Sequence, residues 1–205
     1  MFRIFKTPLF LRLFLKNAIF HIPNSENLLY LTFDDGPIPK VTPWVMEQLD
    51  KFGAKATFFC VGENAIKHTE IKNTLLEKGH QLGNHTYHHL KGWNTSSERY
   101  YQDIEDCSNQ IKSNLFRPPY GRIRFSQYQK LKKKYKIILW DLISYDFDPK
   151  LDPKYCLQML KGKTRSGSIV VFHDSQKSFR ILIEVLPAYL EFCIKQGYRF
   201  GVIPN

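Results

Sequence analysis

Cysteine is sparse and unclustered in this chain: Cys60, Cys107, Cys156 and Cys193 lie far apart, and no two form a Cys-x-x-Cys pair. That spacing excludes a cysteine-based zinc site and a disulfide-dense scaffold, and it leaves the four thiols as reduced packing residues. No Gly/Ser-rich or Pro-rich stretch divides the sequence and no segment repeats, so nothing marks a linker. A membrane-spanning helix needs roughly twenty nearly uncharged residues. The most apolar stretch, Phe2 to Phe20, is broken by Arg3, Lys6, Arg12 and Lys16, and no small-residue cleavage site follows a short apolar core. Acidic residues are scarce as well, 19 against 30 Lys and Arg, for a net charge of +11. The basic surplus is scattered except for Lys130-Leu131-Lys132-Lys133-Lys134, which reads as a solvated helix face. No nucleic-acid motif accompanies it, so no nucleic-acid partner is expected; an anionic wall polymer or membrane accounts for the charge as readily.

What is present fits one substantial core. At 205 residues the chain is short for two domains. We divide it into a basic and apolar segment over 1–26, expected to pack its apolar side on the rest, and a main domain over 27–205. A second expectation for residues 1–20 is a basic amphipathic helix on a membrane surface, because Arg12 and Lys16 stand at i, i+4 beside Leu9, Leu13 and Phe20. With no cleavable signal or spanning helix in view, a cytoplasmic or membrane-peripheral location is expected, and the oligomeric state is left open.

Along the main domain, strand-like and helix-like stretches alternate. Apolar, β-rich runs fall at Leu28 to Phe33, Ala56 to Val61, Gln81 to Asn84, Leu115 to Phe116, Lys136 to Trp140, Ser168 to Phe172 and Tyr198 to Val202. Helix start signals stand before Trp44 to Lys51 (Thr42-Pro43), Glu70 to Lys78 (Thr69) and Lys154 to Leu160 (Asp152-Pro153), with a last helix over roughly Ser178 to Gln196. Gly53 and Gly79 sit where helices would stop. Such alternation predicts an α/β fold with a parallel sheet and crossover helices, either a doubly wound sheet or a barrel, and in barrels chemistry gathers at the carboxyl ends of the strands.

Leu31-Thr32-Phe33-Asp34-Asp35-Gly36-Pro37 ends an apolar run with two adjacent carboxylates, which cannot both face a core and need a partner of opposite charge. Some fifty residues on, His85-Thr86-Tyr87-His88-His89 places two histidines at i and i+4, where one helical turn would aim both imidazoles at one point. Alone, the first reads as a turn and the second as a solvated helix face. Together, one carboxylate and two histidines make a three-ligand metal site with room for water. His173, at the end of another strand, titrates in the range that suits a general acid.

Three more segments follow in order: Arg117-Pro118-Pro119-Tyr120-Gly121, Trp140-Asp141 with Asp146, and Phe172-His173-Asp174. The ordered set of five resembles the polysaccharide deacetylase family, the NodB-like carbohydrate esterases, from about Asn27 to Ile203. The resemblance implies a distorted, incomplete (β/α) barrel of seven or eight strands. It also implies removal of N-acetyl groups from N-acetylglucosamine in a peptidoglycan- or chitin-like glycan. By the same resemblance Asp35, His85 and His89 hold one divalent metal, usually zinc, with Co2+, Ni2+ or Fe2+ as substitutes. Asp34 is then the general base, His173 the general acid, Arg117 the residue that orients the base, and the Tyr120 backbone N–H the oxyanion donor. Pro119 would fix the preceding bend, and Tyr87 and Trp140 would wall the pocket.

The fourth segment departs from the family. Ile143 stands where an aspartate commonly pairs with the catalytic histidine, and Phe147 replaces a tryptophan. Asp141 and Asp146 are both left as candidates to pair with His173. Removal of O-acetyl groups from xylan, whose ester needs a weaker acid, and a catalytically silent sugar-binding barrel are the alternative readings.

Overall fold

The computed structural model describes residues 3–204; Met1, Phe2 and Asn205, which belong to the two segments delimited above, lie outside the described residues. Helix α1 spans Leu9–Phe14, and strand β1, Leu28–Asp34, opens the sheet. Then follow α2 (Val41–Lys51), β2 (Ala56–Cys60), α3 (Gly62–Lys67), α4 (Thr69–Glu77) and β3 (Gln81–Asn84). The middle of the chain supplies α5 (Ser97–Gln110), β4 (Leu115–Phe116), α6 (Phe125–Leu131), β5 (Lys136–Ile137) and β6 (Leu142–Ile143). Finally come α7 (Pro153–Lys163), β7 (Ile169–His173), α8 (Phe179–Lys195) and β8 (Arg199–Phe200).

Strands run as uninterrupted apolar residues rather than alternating ones because helices cover the sheet on its outside while its inside is core. Every residue of β2 is buried. The rings of Phe33, Phe58 and Phe172 stack across β1, β2 and β7 at 5.0 and 5.8 Å between centroids; burying such a ring contributes about 1.5–3 kcal/mol. Helix α8 shows the other period, turning Ile181, Leu182, Val185, Leu186, Tyr189, Leu190 and Cys193 inward. Asp152 caps α7 by accepting from the Tyr155 N–H at 2.9 Å. All four cysteines are buried and unpaired. Among the described residues no helix is long and apolar enough to cross a membrane.

The ladder runs β5-β4-β3-β2-β1-β7-β6, all pairs parallel, with β8 added along the start of β1. This is an incomplete, distorted (β/α) barrel whose two open edges, β5 and β6, are consecutive in sequence. The expected single strand over Lys136 to Trp140 is therefore corrected: β5 ends at Ile137 with one further bridge at Ile138, and the chain bends at Asp141, which precedes the next strand instead of following one. The cause is long-range. The carbonyls of Ile138 and Leu139 accept from the Arg117 guanidinium at 3.3 and 3.1 Å.

The amino-terminal segment bridges this seam. Lys6 pairs with Leu142, Ile19 with Ile138 and His21 with Ser168. The Ile143 N–H donates to the Phe5 carbonyl at 3.0 Å, and the Thr7 N–H to that of Asp141 at 2.9 Å. Phe5 and Phe20 are buried, and Arg12 is ion-paired to the buried Asp141, so Arg12 and Phe20 do not share a free membrane face. Leu9, Phe10 and Leu13 do remain exposed.

Candidate active site

Neighbouring residues of a strand point to opposite faces, so Asp34 and Asp35 could not serve one site if β1 continued through both. Asp35 instead leaves the strand at φ 85°, a conformation in which Asp is among the better-tolerated side chains. Both carboxylates then reach the same rim. His85 Nε2 lies 4.0 Å from Asp34 Oδ2 and 3.8 Å from Asp35 Oδ1. Four backbone anchors hold this turn. The Gly36 N–H donates to Asp174 Oδ1 at 3.0 Å, the Asn64 amide to the Asp35 carbonyl at 2.8 Å, the Val61 N–H to the Gly36 carbonyl at 3.0 Å, and the Asp174 N–H to the Asp34 carbonyl at 3.1 Å. Only glycine fits at 36, because a Cβ would stand 1.9 Å from Asp174 Oδ2.

The histidine segment is not a helical turn, which corrects the sequence-based expectation. Thr86 and His89 have φ of 63° and 56°, and side chains rather than helical carbonyls take the amide protons. Asn84 Oδ1 accepts from the Thr86 N–H at 2.9 Å, Asp103 Oδ2 from those of Tyr87 and His88 at 2.8 and 3.0 Å, and Thr86 Oγ1 from that of Leu90 at 3.1 Å. Asp103 also accepts from His88 Nδ1 at 2.5 Å, so His88 faces away from the cluster while His85 and His89 face into it. The coil still brings His89 Nε2 within 3.2 Å of Asp35 Oδ1.

Asp35, His85 and His89 thus offer three ligand atoms within 4.8 Å of one another. Their chemistry fits a divalent metal. His85 Nδ1 donates to the Arg117 carbonyl at 2.7 Å, which fixes the tautomer and leaves the Nε2 lone pair facing the cluster. Burial lowers the His85 pKa to about 4, so the ring is neutral at neutral pH. Burial alone would raise the Asp35 pKa, but the hydrogen bond from His89 and then the charge of His173 hold it well below the usual carboxylate range.

Two side chains that can carry protons flank this cluster. Asp34 and His173 are register partners at the ends of β1 and β7. Asp34 Oδ1 accepts from Arg117 Nη1 at 2.7 Å, and the same nitrogen donates to Thr32 Oγ1 at 2.7 Å. Arg117 is fully buried, lies over the Phe59 ring at 4.1 Å, and has its charge disfavoured by burial and favoured by Asp34. Asp146, not Asp141, pairs with His173: its Oδ1 accepts from His173 Nδ1 at 2.7 Å and its Oδ2 from the His173 N–H at 2.8 Å. The Phe147 ring covers the imidazole edge-on at 4.9 Å. Burial works against a charged His173, but Asp146, by charge and hydrogen bond, and then Asp35 and Asp34 raise its pKa to about 9.

The remaining candidates divide. Pro119 is buried in a short 3-10 turn over Pro119–Gly121 that holds Tyr120 at φ 61°, with its ring 4.8 Å from that of His89. Trp140 is half-buried and packs on Gly121, so it borders the rim. Tyr87 does not wall the site: its ring covers Gly62 and joins the main core. Asp141 is also absent from the rim. It is buried at the other end of β6, where it is bound by Arg12, by Arg165 at 3.3 Å and by Ser168 at 2.8 Å. Sequence reasoning missed Thr32, Asp103 and Asp174 as supports. Asp174 stood in the fifth motif without a role, and only its place beside His173 hinted at one.

The sequence profile described as polysaccharide deacetylase matches residues 21–136. A peptidoglycan-N-acetylglucosamine deacetylase of Bacillus cereus is 34% identical over 192 residues, 89% of each chain. Among solved structures, the Bc1960 peptidoglycan N-acetylglucosamine deacetylase superposes with a TM-score of 0.88 at 26% identity, covering 97% of this chain and 95% of that one. A Bacillus anthracis pseudoenzyme, BA3943, shares the fold at 23% identity with a TM-score of 0.76, over 91% of this chain and 67% of its own.

Proposed function

Because this chain belongs to the polysaccharide deacetylase family, we propose that it hydrolyses the N-acetyl groups of N-acetylglucosamine units in a peptidoglycan- or chitin-like glycan. The observation that carries this reading is the register pair Asp34 and His173 beside a three-ligand cluster, each held by its own buried partner, Arg117 or Asp146. A silent barrel has no need to bury an arginine against one carboxylate, since burying such a pair is costly.

Asp35, His85 and His89 would hold a divalent ion, zinc by their mixed nitrogen and oxygen donor set, which when bound supplies a Lewis acid for the acetyl carbonyl and lowers the pKa of water. Asp34 takes the proton from the attacking water, and Arg117 fixes the direction of its carboxylate. The Tyr120 backbone N–H donates to the oxygen on which negative charge develops. His173 gives its proton to the amine as the C–N bond breaks. Holding His173 charged through Asp146 favours an amide over an ester, since an amine is the poorer leaving group. Xylan-type O-acetyl esters are accordingly the second substrate class to be assayed.

The test is acetate release from chitotetraose, peptidoglycan and acetylated xylan by purified protein. Chelation is expected to remove release from at least one N-acetylated glycan, and zinc or cobalt to restore it. Activity that survives complete removal of metal would overturn the reading.

For location, we propose peripheral contact with an anionic membrane through the exposed Leu9, Phe10 and Leu13 of α1, with Lys6 and Lys16 at either end. Cosedimentation with phosphatidylglycerol vesicles is expected to fall at least fivefold in a Leu9→Ser/Phe10→Ser variant and to weaken with salt. Equal sedimentation of both proteins would count against the contact.

A further inference from the structure

Beside the candidate site, two loops are clamped into one ledge. The Gln127 amide donates to the Gly92 carbonyl at 3.1 Å, and the Trp93 indole N–H to the Ile123 carbonyl at 2.9 Å. The Arg124 guanidinium donates to the Trp93 carbonyl at 2.9 and 3.2 Å. These bonds fix the Trp93 ring at 54% of full exposure, and the Pro119–Gly121 turn presents the Tyr120 ring beside it at 58%. Large aromatics held rigidly at a surface expose apolar area that folding itself did not cover, a common mark of a recognition surface.

Cations accompany both rings. Lys91 Nζ lies 4.8 Å from the Tyr120 centroid, and the Arg122 guanidinium 5.3 Å from that of Trp93. On the rest of the surface some cations, such as Lys51, Lys67, Lys78, Lys134, Lys195 and Arg199, have a carboxylate partner and others, such as Lys132 and Lys133, have none among the described residues. Among the described residues no carboxylate pairs with Lys91, Arg122 or Arg124. Lys91 therefore places a positive charge where Tyr120 meets His89 of the cluster, and Arg122 and Arg124 place two more around Trp93 on the same ledge. The cation–π contacts orient the charges without neutralising them.

We propose that this ledge is a binding subsite for an acidic glycan. The apolar faces of the sugar rings lie on Trp93 and Tyr120, and carboxylates are taken by Lys91, Arg122 and Arg124, so that the site prefers a carboxylate-bearing N-acetylated polymer to a neutral one. The proposal rests on the deacetylase reading and extends it to the charge of the substrate. Stacking is indifferent to charge and holds any glycan; charge-assisted hydrogen bonds supply the selection. The carboxylate has two sources, an acid on the sugar itself or a peptide attached to the glycan.

The test compares chitotetraose, peptidoglycan strands stripped of peptide, and strands carrying peptide, by kcat/KM and by calorimetric affinity. In the wild-type protein the acidic strands are expected to be preferred at least tenfold, with the preference shrinking between low and high salt. In a Lys91→Ala/Arg122→Ala variant the ratio of acidic to neutral kcat/KM should drop at least tenfold, chiefly through KM. Loss confined to peptide-bearing strands assigns the carboxylate to the peptide; loss on both assigns it to the sugar. A ratio unmoved by the substitutions, even if both rates fall, overturns the proposal. Affinity is read whether or not acetate is released, so a failure of the deacetylase reading leaves the ledge independently tested.

Discussion

Asp34→Asn is expected to lower kcat by about 100- to 10,000-fold, the range a positioned general base supplies, while the protein keeps one divalent metal per chain. Asparagine retains an oxygen to accept from Arg117 Nη1, so the turn at the end of β1 is preserved, but it cannot take a proton. The cost is a charge left unpaired. Arg117 is fully buried, and removing one member of a buried ion pair destabilises by about 3–5 kcal/mol. Part of that is offset because the guanidinium also donates to Thr32, Ile138 and Leu139. The variant should therefore melt earlier but fold, and its rate is to be measured well below the new Tm, with metal content read by mass spectrometry. Wild-type turnover would remove Asp34 as the base, and loss of metal would make it a ligand.

The second large effect concerns pH. A general acid works in its protonated form, so with the His173 pKa raised to about 9 the acid is in place through neutrality and is lost as pH rises through that value. Asp146→Asn removes the carboxylate that opposes the desolvation of the imidazole, and the pKa falls to or below the ordinary histidine value of about 6.5. At pH 8 the protonated fraction, and with it kcat on an N-acetylated glycan, should fall by about 30-fold or more. The loss should be smaller toward pH 6, so the optimum moves to the acid side. An alkaline limb that stays where it was would show that His173 is not the acid or that Asp146 does not set its charge. The same variant assayed on an O-acetyl ester should lose less, since the leaving alkoxide depends less on a strong acid.

Local signals were read correctly where local physics decides. The strands Gln81–Asn84 and Leu115–Phe116 and the stops at Gly53 and Gly79, both at positive φ, follow from apolar runs and from glycine's freedom there. The histidine segment was misread because its fold is dictated from a distance: Asp103, on α5, collects two of its amide protons and one of its imidazoles. The break between β5 and β6 has the same character, since the buried guanidinium that takes the Ile138 and Leu139 carbonyls arrives from β4. Asp141 and Asp146 could not be told apart for that reason. Five residues apart in sequence, they sit at opposite ends of β6, and only the position of the bend decides which one meets His173. The basic ledge was hidden too, because Lys91 and Arg122 are 31 residues apart and neither belongs to a run of charge.

The seam between β5 and β6 also sets the order in which the molecule can be completed. Thr7 donates to the carbonyl of Trp140, 133 residues later, and Arg3 to Asp148, 145 residues later. During synthesis at about 5–20 residues per second, the early segment waits roughly 7 to 30 seconds before its partners exist. Through that interval Phe5 lacks the rings of Tyr145 and Tyr155 that pack on it. A closure of such long sequence separation is entropically costly and slow, so this seam cannot form until both of its distant halves are present.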